Sequence, residues 1–149
     1  MQVIISRLKE LLESGKVQRV LGWKKGDFAF NPEPAYFNSV EELDEFVYDG
    51  FCGANLSKYM IKGSNLEGVT AILLKPCDTY SFNQLLTEHR FDREKVYAVG
   101  IPCNGMADID KINETLPTYK QMLRVIVTDQ EIIKTTTGKV KRYEETKKM

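Results

Sequence analysis

Two short stretches of the chain, Ile72-Leu73-Leu74-Lys75-Pro76-Cys77-Asp78 and Val99-Gly100-Ile101-Pro102-Cys103-Asn104, repeat one pattern. Each is an apolar run of β type that stops at Pro-Cys and continues with a polar residue suited to starting a helix. The interval between the two cysteines matches one strand, one helix and a returning strand. In a parallel sheet such strands run the same way, so their C-terminal ends share one edge. That edge is where open α/β sheets place ligands. Proline offers no N–H to the ladder, so it ends the pairing and leaves the thiol beyond it at the rim. Cys77 also precedes an expected helix N-terminus, where the positive end of the dipole favours a thiolate. A thiolate is both a nucleophile and a ligand for metals and iron–sulfur clusters. Cys52, set between Phe51 and Gly53, is the candidate third thiol. The pattern points to redox chemistry.

Free cysteines are also small hydrophobes that fill cores, yet Cys77 and Cys103 fall after the apolar runs rather than inside them. No C-x-x-C is present, so the compact spacing of zinc sites, ferredoxins and thioredoxin-like exchange is missing. His89, the sole histidine, falls late in the helix expected after Asp78, about three turns from the cysteine rim. There it suits the helix dipole better than a metal. No G-x-G-x-x-G and no Walker-type loop occurs, which disfavours a standard dinucleotide fold or a nucleotide hydrolase. Asn104-Gly105 and the helix N-termini after Cys77 and Cys103 are nonetheless suited to an anion such as a flavin phosphate. Lys75, immediately before its Pro-Cys corner, is placed to pair with Asp78 or to contact a cofactor. Trp23, Phe28, Phe30, Tyr36 and Phe37 read as packing, and Glu41, Glu42, Asp44 and Glu45 as a solvated helix face.

The elements that must position these residues follow from periodicity. Residues 2–14 put Ile4, Leu8, Leu11 and Leu12 on one helical face, with Gly15 as the stop. Residues 17–23 read as a strand, 26–34 as turn-rich and 35–37 as a short strand. Ser39-Val40-Glu41-Glu42 matches a capping box, with Leu43, Phe46 and Val47 as the buried stripe of the helix behind it. A second helix is expected over 54–61. Residues 69–74 form a nearly uninterrupted apolar run, the signature of a strand covered on both faces. Asp78 is expected to cap a helix with the stripe Phe82, Leu85 and Leu86, and 96–101 is the second buried strand. Asp108 caps a short helix through Ile112 and Leu116, stopped by Pro117. The pattern then changes to a small antiparallel meander over 123–143, followed by a charged tail over 144–149. The expected fold is α/β, with a mostly parallel central sheet flanked by helices and a C-terminal antiparallel β extension. The 149 residues are expected to form a single domain, with its core in 1–122.

Composition narrows the classes. The chain is 42% hydrophobic and 28% charged, as in ordinary globular proteins. Its 21 basic and 21 acidic residues leave no net charge, which argues against a nucleic-acid footprint or an electrostatic membrane anchor. No apolar run approaches the roughly 20 residues of a bilayer span. Charged residues interrupt 1–12, so no secretory signal is read there. Three cysteines are too few for a disulfide scaffold, and a cytoplasmic chain with reduced thiols is expected.

Phe51-Cys52-Gly53-Ala54-Asn55-Leu56, Lys75-Pro76-Cys77-Asp78 and Gly100-Ile101-Pro102-Cys103-Asn104-Gly105-Met106, with the stretch from Phe91 to Tyr97, resemble one family. It is the beta subunit of coenzyme F420-dependent, deazaflavin-linked hydrogenases and formate dehydrogenases, with its bacterial relatives. The similarity covers roughly residues 1–136 in the same order and spacing. It implies FAD, a [4Fe–4S] cluster and, in methanogens, the deazaflavin coenzyme, with other subunits of an oxidoreductase complex as partners. The residues matching its motifs are Cys52, Lys75, Cys77, Asp78 and Cys103. Cys52, Cys77 and Cys103 are the implied metal ligands, and Lys75, Asp78, Asn104 and Gly105 the cofactor-binding candidates. Three thiolates are one short of a four-cysteine cluster, and longer members carry further cysteines beyond this region. The expected function is therefore electron transfer as an oxidoreductase subunit, inactive alone. The competing classes are a cofactor-free thiol/disulfide redox protein and an assembly module with inert core cysteines.

Overall fold

Four apolar runs pair into one mixed sheet in a computed structural model that describes residues 1–27 and 31–121. Phe28, Phe30, the expected meander over 123–143 and the tail over 144–149 lie outside the described residues. The strands are β1 (Arg19–Lys24), β2 (Glu33–Phe37), β3 (Thr70–Leu74) and β4 (Val96–Gly100), in the spatial order β2-β1-β3-β4. β2 returns antiparallel on β1, from Val20 opposite Phe37 to Lys24 opposite Glu33. β1, β3 and β4 are parallel, so the sheet is mostly parallel and the α/β expectation holds. β3 lies between two neighbours and is buried at all five positions, whereas β4 alternates.

Helix α1 (Gln2–Glu13) buries Leu8 and Leu11 against the sheet. Gly15 takes a φ of 68° just beyond it, a left-handed turn that glycine makes without a Cβ penalty. Helix α3 (Thr79–Thr87) connects β3 to β4 and buries Phe82, whose ring meets Phe91 at 5.3 Å between centroids. His89 lies past the end of α3 with a φ of 53°. Its N–H bonds Leu86 and the N–H of Arg90 bonds Leu85, so His89 fills the left-handed place of a Schellman stop. Helix α4 (Ile109–Glu114) starts as expected, with the Asp108 carboxylate accepting from the Lys111 N–H at 2.9 Å.

Two expected helices differ from the sequence reading. The capping box over 39–42 forms in part: Ser39 Oγ accepts the Glu42 N–H at 3.4 Å, and the Glu42 carboxylate accepts the Asn38 N–H at 2.6 Å. Only one 3-10 turn follows, Glu42–Glu45. Phe46 then becomes extended and bridges Lys24, and the Val47 N–H donates to the Trp23 carbonyl at 2.9 Å. The β1–β3 pairing stops at Leu21 opposite Ile72, so the end of β1 has ladder groups to satisfy on that side. Residues 46 and 47 satisfy them at the expense of the helix. The second helix, α2, is Ser57–Gly63 rather than 54–61. Asn55 Oδ1 accepts the Ser57 N–H at 2.9 Å, and the residues before it are held elsewhere.

The Phe46 ring lies on Gly22 of β1: a Cβ there would stand 2.9 Å from Phe46 Cε2 and 3.2 Å from Leu73 Cδ1. Gly22→Val is therefore expected to lower stability by about 1–3 kcal/mol through overpacking. A urea midpoint equal to that of the parent would show that Phe46 has room to yield.

Candidate functional site

The parallel strands bring their C-terminal ends to one edge. Leu74 pairs with Gly100, and the Ile101 N–H donates to the Leu74 carbonyl at 3.0 Å, so β3 and β4 run out together. Cys77 and Cys103 each stand three residues beyond that last pair. Pro76 turns the chain into a short 3-10 turn, Pro76–Asp78, that feeds α3, and Pro102 ends the β4 pairing. Cys77 is exposed and Cys103 half-buried.

Lys75 organises this edge from beneath. It is 1% exposed, and its Nζ donates to the carbonyls of Cys52 at 2.7 Å, Gly53 at 3.2 Å and Ala54 at 3.1 Å. An ammonium has three donors, and these three bonds use them. Asp78 Oδ2 lies 3.6 Å away as counter-charge, and the Trp23 ring centroid lies at 4.8 Å. The expected pairing of Lys75 with Asp78 is present. Asp78 does not cap α3 with its side chain, as the sequence suggested. It is 3% exposed, and its carboxylate turns inward to the buried ammonium, where charge compensation outweighs a cap. Near the start of α3 Ser81 Oγ donates to the Asp78 carbonyl at 3.0 Å and Thr79 Oγ1 to the Pro76 carbonyl at 2.7 Å, bonds that satisfy none of the helix's first N–H groups.

Cys52 belongs to the same knot but faces inward. It is fully buried, and its thiol donates to the Val47 carbonyl at 3.7 Å and to Asp49 Oδ1 at 3.6 Å. Burial pushes the thiol up to about 12 from 9.0. Tyr48 joins the loops: its hydroxyl donates to the Pro102 carbonyl at 2.6 Å, and its ring stacks near Trp23 at 5.7 Å. Burial and the neighbouring Cys103 push this phenol up to about 12 as well. The Ala107 N–H donates to the Gly50 carbonyl at 2.6 Å, closing the segment after Cys103 onto the one before Cys52. Asn104 and Gly105 lie exposed on that segment.

A four-thiolate cluster does not fit this donor set. Among the described residues no group of three or more His, Cys, Asp or Glu side chains gathers as a metal-holding set. Cys77 and Cys103 are presented at the edge, whereas the Cys52 thiol is enclosed and held protonated. Lys75 has no donor left for a cofactor. Asn104 and Gly105, exposed beside Cys103, keep polar groups available for an anion. His89 lies at the far end of α3 from the edge. Sequence reasoning missed Tyr48, Asp49 and the role of Trp23; the run Tyr48-Asp49-Gly50 before Phe51-Cys52 was the available signal. It also missed a pocket of about 380 Å³ between α2 and α3, lined by Asn55, Lys58, Tyr80, Ser81 and Leu85 among others.

Fold and edge together define an α/β domain with thiols and polar groups at the C-terminal ends of parallel strands. Among curated proteins, the chain is 25% identical over 131 residues to the F420-dependent formate dehydrogenase 1 subunit beta of Methanococcus maripaludis, covering 88% of this chain and 34% of that protein. It is 24% identical over 102 residues to the F420-dependent formate dehydrogenase subunit beta of Methanocaldococcus jannaschii, covering 68% and 27%. No family model matches. These matches support a distant relationship to formate dehydrogenase beta subunits. The chain spans about a quarter to a third of the length of the curated relatives it matches.

Lys75→Met keeps the volume but strands one carboxylate and three carbonyls. It is expected to cost about 3–5 kcal/mol, with Asp78→Asn relieving part of that loss in the double variant. Additive losses in chemical unfolding would mean that the two charges are not coupled. Stability is also expected to fall as pH rises above about 9. Between 9.0 and about 12 the unfolded chain releases the Cys52 proton while the folded chain keeps it, so the unfolded state binds fewer protons. Cys52→Ala should flatten that decline when unfolding midpoints are compared from neutral to alkaline pH.

Proposed function

We propose that this chain is an electron-transfer module of the formate dehydrogenase beta-subunit type, working within a larger oxidoreductase assembly. The observation that carries the reading is the pair of Pro-Cys corners that follow neighbouring parallel strand ends, one with Cys77 and the other with Cys103, at the edge where such sheets bind ligands. The similarity to the two formate dehydrogenase beta subunits supports it. The chemistry implied is that of FAD, a [4Fe–4S] cluster and a deazaflavin coenzyme. Cys77 and Cys103 are proposed as the two thiolates this chain presents, with the remaining ligands supplied by other protein. Cys52 joins them only if the 48–54 loop rearranges. Asn104 and Gly105 are proposed to receive an anionic part of a cofactor, and Lys75 with Asp78 to position the loop rather than touch the ligand. Other subunits are the proposed partners and a reducing cytoplasm the proposed setting. Among the described residues no helix is long and apolar enough to cross a membrane.

A second reading keeps the same two thiols without a cofactor. Cys77 and Cys103 sit at equal offsets from the Leu74–Gly100 pair, and in this reading they form a reversible disulfide. The third reading, inert core cysteines, suits Cys52 alone.

The visible spectrum of anaerobically purified protein separates these readings. The isolated chain is expected to bind iron–sulfur substoichiometrically or not at all after reconstitution. Co-expression with a partner subunit should restore the absorption, and Cys77→Ser or Cys103→Ser should abolish it. Equal occupancy in both variants would assign these cysteines to packing. A colourless protein whose two thiols oxidise reversibly would favour the disulfide.

A further inference from the structure

The segment after β4 is fixed at two points, by Tyr48 on the Pro102 carbonyl and by the Ala107 N–H on the Gly50 carbonyl. Between them Asn104 and Gly105 are exposed. Among the described residues, neither the Asn104 amide nor the Gly105 N–H has a hydrogen-bond partner. Gly105 takes a φ of 111° and carries no side chain to obstruct its own nitrogen. We propose that Asn104 is a site of spontaneous deamidation, which places a new carboxylate beside Cys103.

Hydroxide removes the Gly105 amide proton, and the nitrogen attacks Asn104 Cγ. A new Cγ–N bond forms, the bond from Cγ to Nδ2 breaks, and ammonia leaves with a five-membered succinimide behind. Water then opens the ring. Cleavage of the new Cγ–N bond gives an aspartyl residue at position 104. Cleavage at the former main-chain carbonyl gives an isoaspartyl residue, with one extra methylene in the main chain. No electrons are transferred and water is the only co-reactant.

The surroundings make the site selective. No other asparagine in the chain precedes a glycine. Asn55 donates to Ser81 Oγ at 2.6 Å and accepts from Ser57, and Asn38 contacts Glu42 at 3.4 Å. Asp49-Gly50 is the nearest analogue, but Asp49 Oδ1 accepts the Phe51 N–H at 2.8 Å, and a carboxylate is a poorer electrophile than an amide. The product adds one negative charge next to the half-buried Cys103 thiol.

The test is incubation of the native chain in mildly alkaline heavy-oxygen water, followed by peptide mass mapping and ammonia assay. Expected are ammonia release, heavy oxygen in the peptide that contains position 104, and both aspartyl and isoaspartyl products. Asn104→Gln should be silent, because its ring closure would be six-membered and slow. The native rate should lie within about tenfold of the rate in urea, since between the two fixed points neither the Asn104 amide nor the Gly105 N–H has a bond to break. Ammonia release unchanged in Asn104→Gln, or native protection well beyond that range, would overturn the proposal.

Discussion

A single buried ammonium holds the functional edge together. Lys75 leaves the end of β3 pointing inward, and its three bonds gather the carbonyls of residues 52–54 under the strand ends. A buried amine is costly unless its charge and its donors are all met. Here Asp78 meets the charge and the loop meets the donors. The loop cannot adopt α2 geometry at the same time, which is why α2 begins only at Ser57. The Cys52 thiol is enclosed by the same arrangement, because its own carbonyl is the closest partner of Lys75.

The second organising fact is the divergence of β1 from β3. Their ladder covers three residue pairs, whereas β3 and β4 stay paired through Leu74 and Gly100. Into the opening come Phe46 and Val47 on one level, and Trp23, Tyr48 and Lys75 on the next. Trp23 Nε1 lacks a hydrogen-bond partner within this cluster, and Asp78 Oδ2 is met only by the Lys75 charge at 3.6 Å. Unmet polar groups at such depth are rare in packed cores and mark where a protein gives up stability for another purpose.

Much of this was legible in the residues. The two strands, their parallel pairing and the shared edge of the Pro-Cys corners follow from apolar runs that end in proline, but β4 lies at the edge of the sheet and alternates between buried and exposed where a buried strand was expected. The start of α4 followed from Asp108, and the end of α1 from Gly15. Local signals failed where a distant group competed for the same atoms. The capping box at Ser39 is chemically satisfied, yet its helix yields to ladder groups on β1, which no window around residue 39 contains. Asp78 looks like a cap in sequence, but it answers a charge three residues back that only burial makes demanding. Cys52 was grouped with the other cysteines by type and by resemblance. Its inward orientation depends on bonds to the Val47 carbonyl and the Asp49 carboxylate, which the type of the residue does not announce.

The three-pair junction of β1 with β3 is also a seam between two halves of the sheet. On one side lies the β1–β2 hairpin, on the other the more local β3-α3-β4 unit. Joining them closes a loop of about fifty residues, between Arg19 and Thr70, for little ladder in return. Such seams open as cooperative units well below the free energy of global unfolding. Because Trp23 lies on one side of this seam and Lys75 on the other, an opening there would uncover the ammonium before the rest of the core. Exposure of Cys52 is then coupled to parting of the sheet as well as to rearrangement of the loop that carries it.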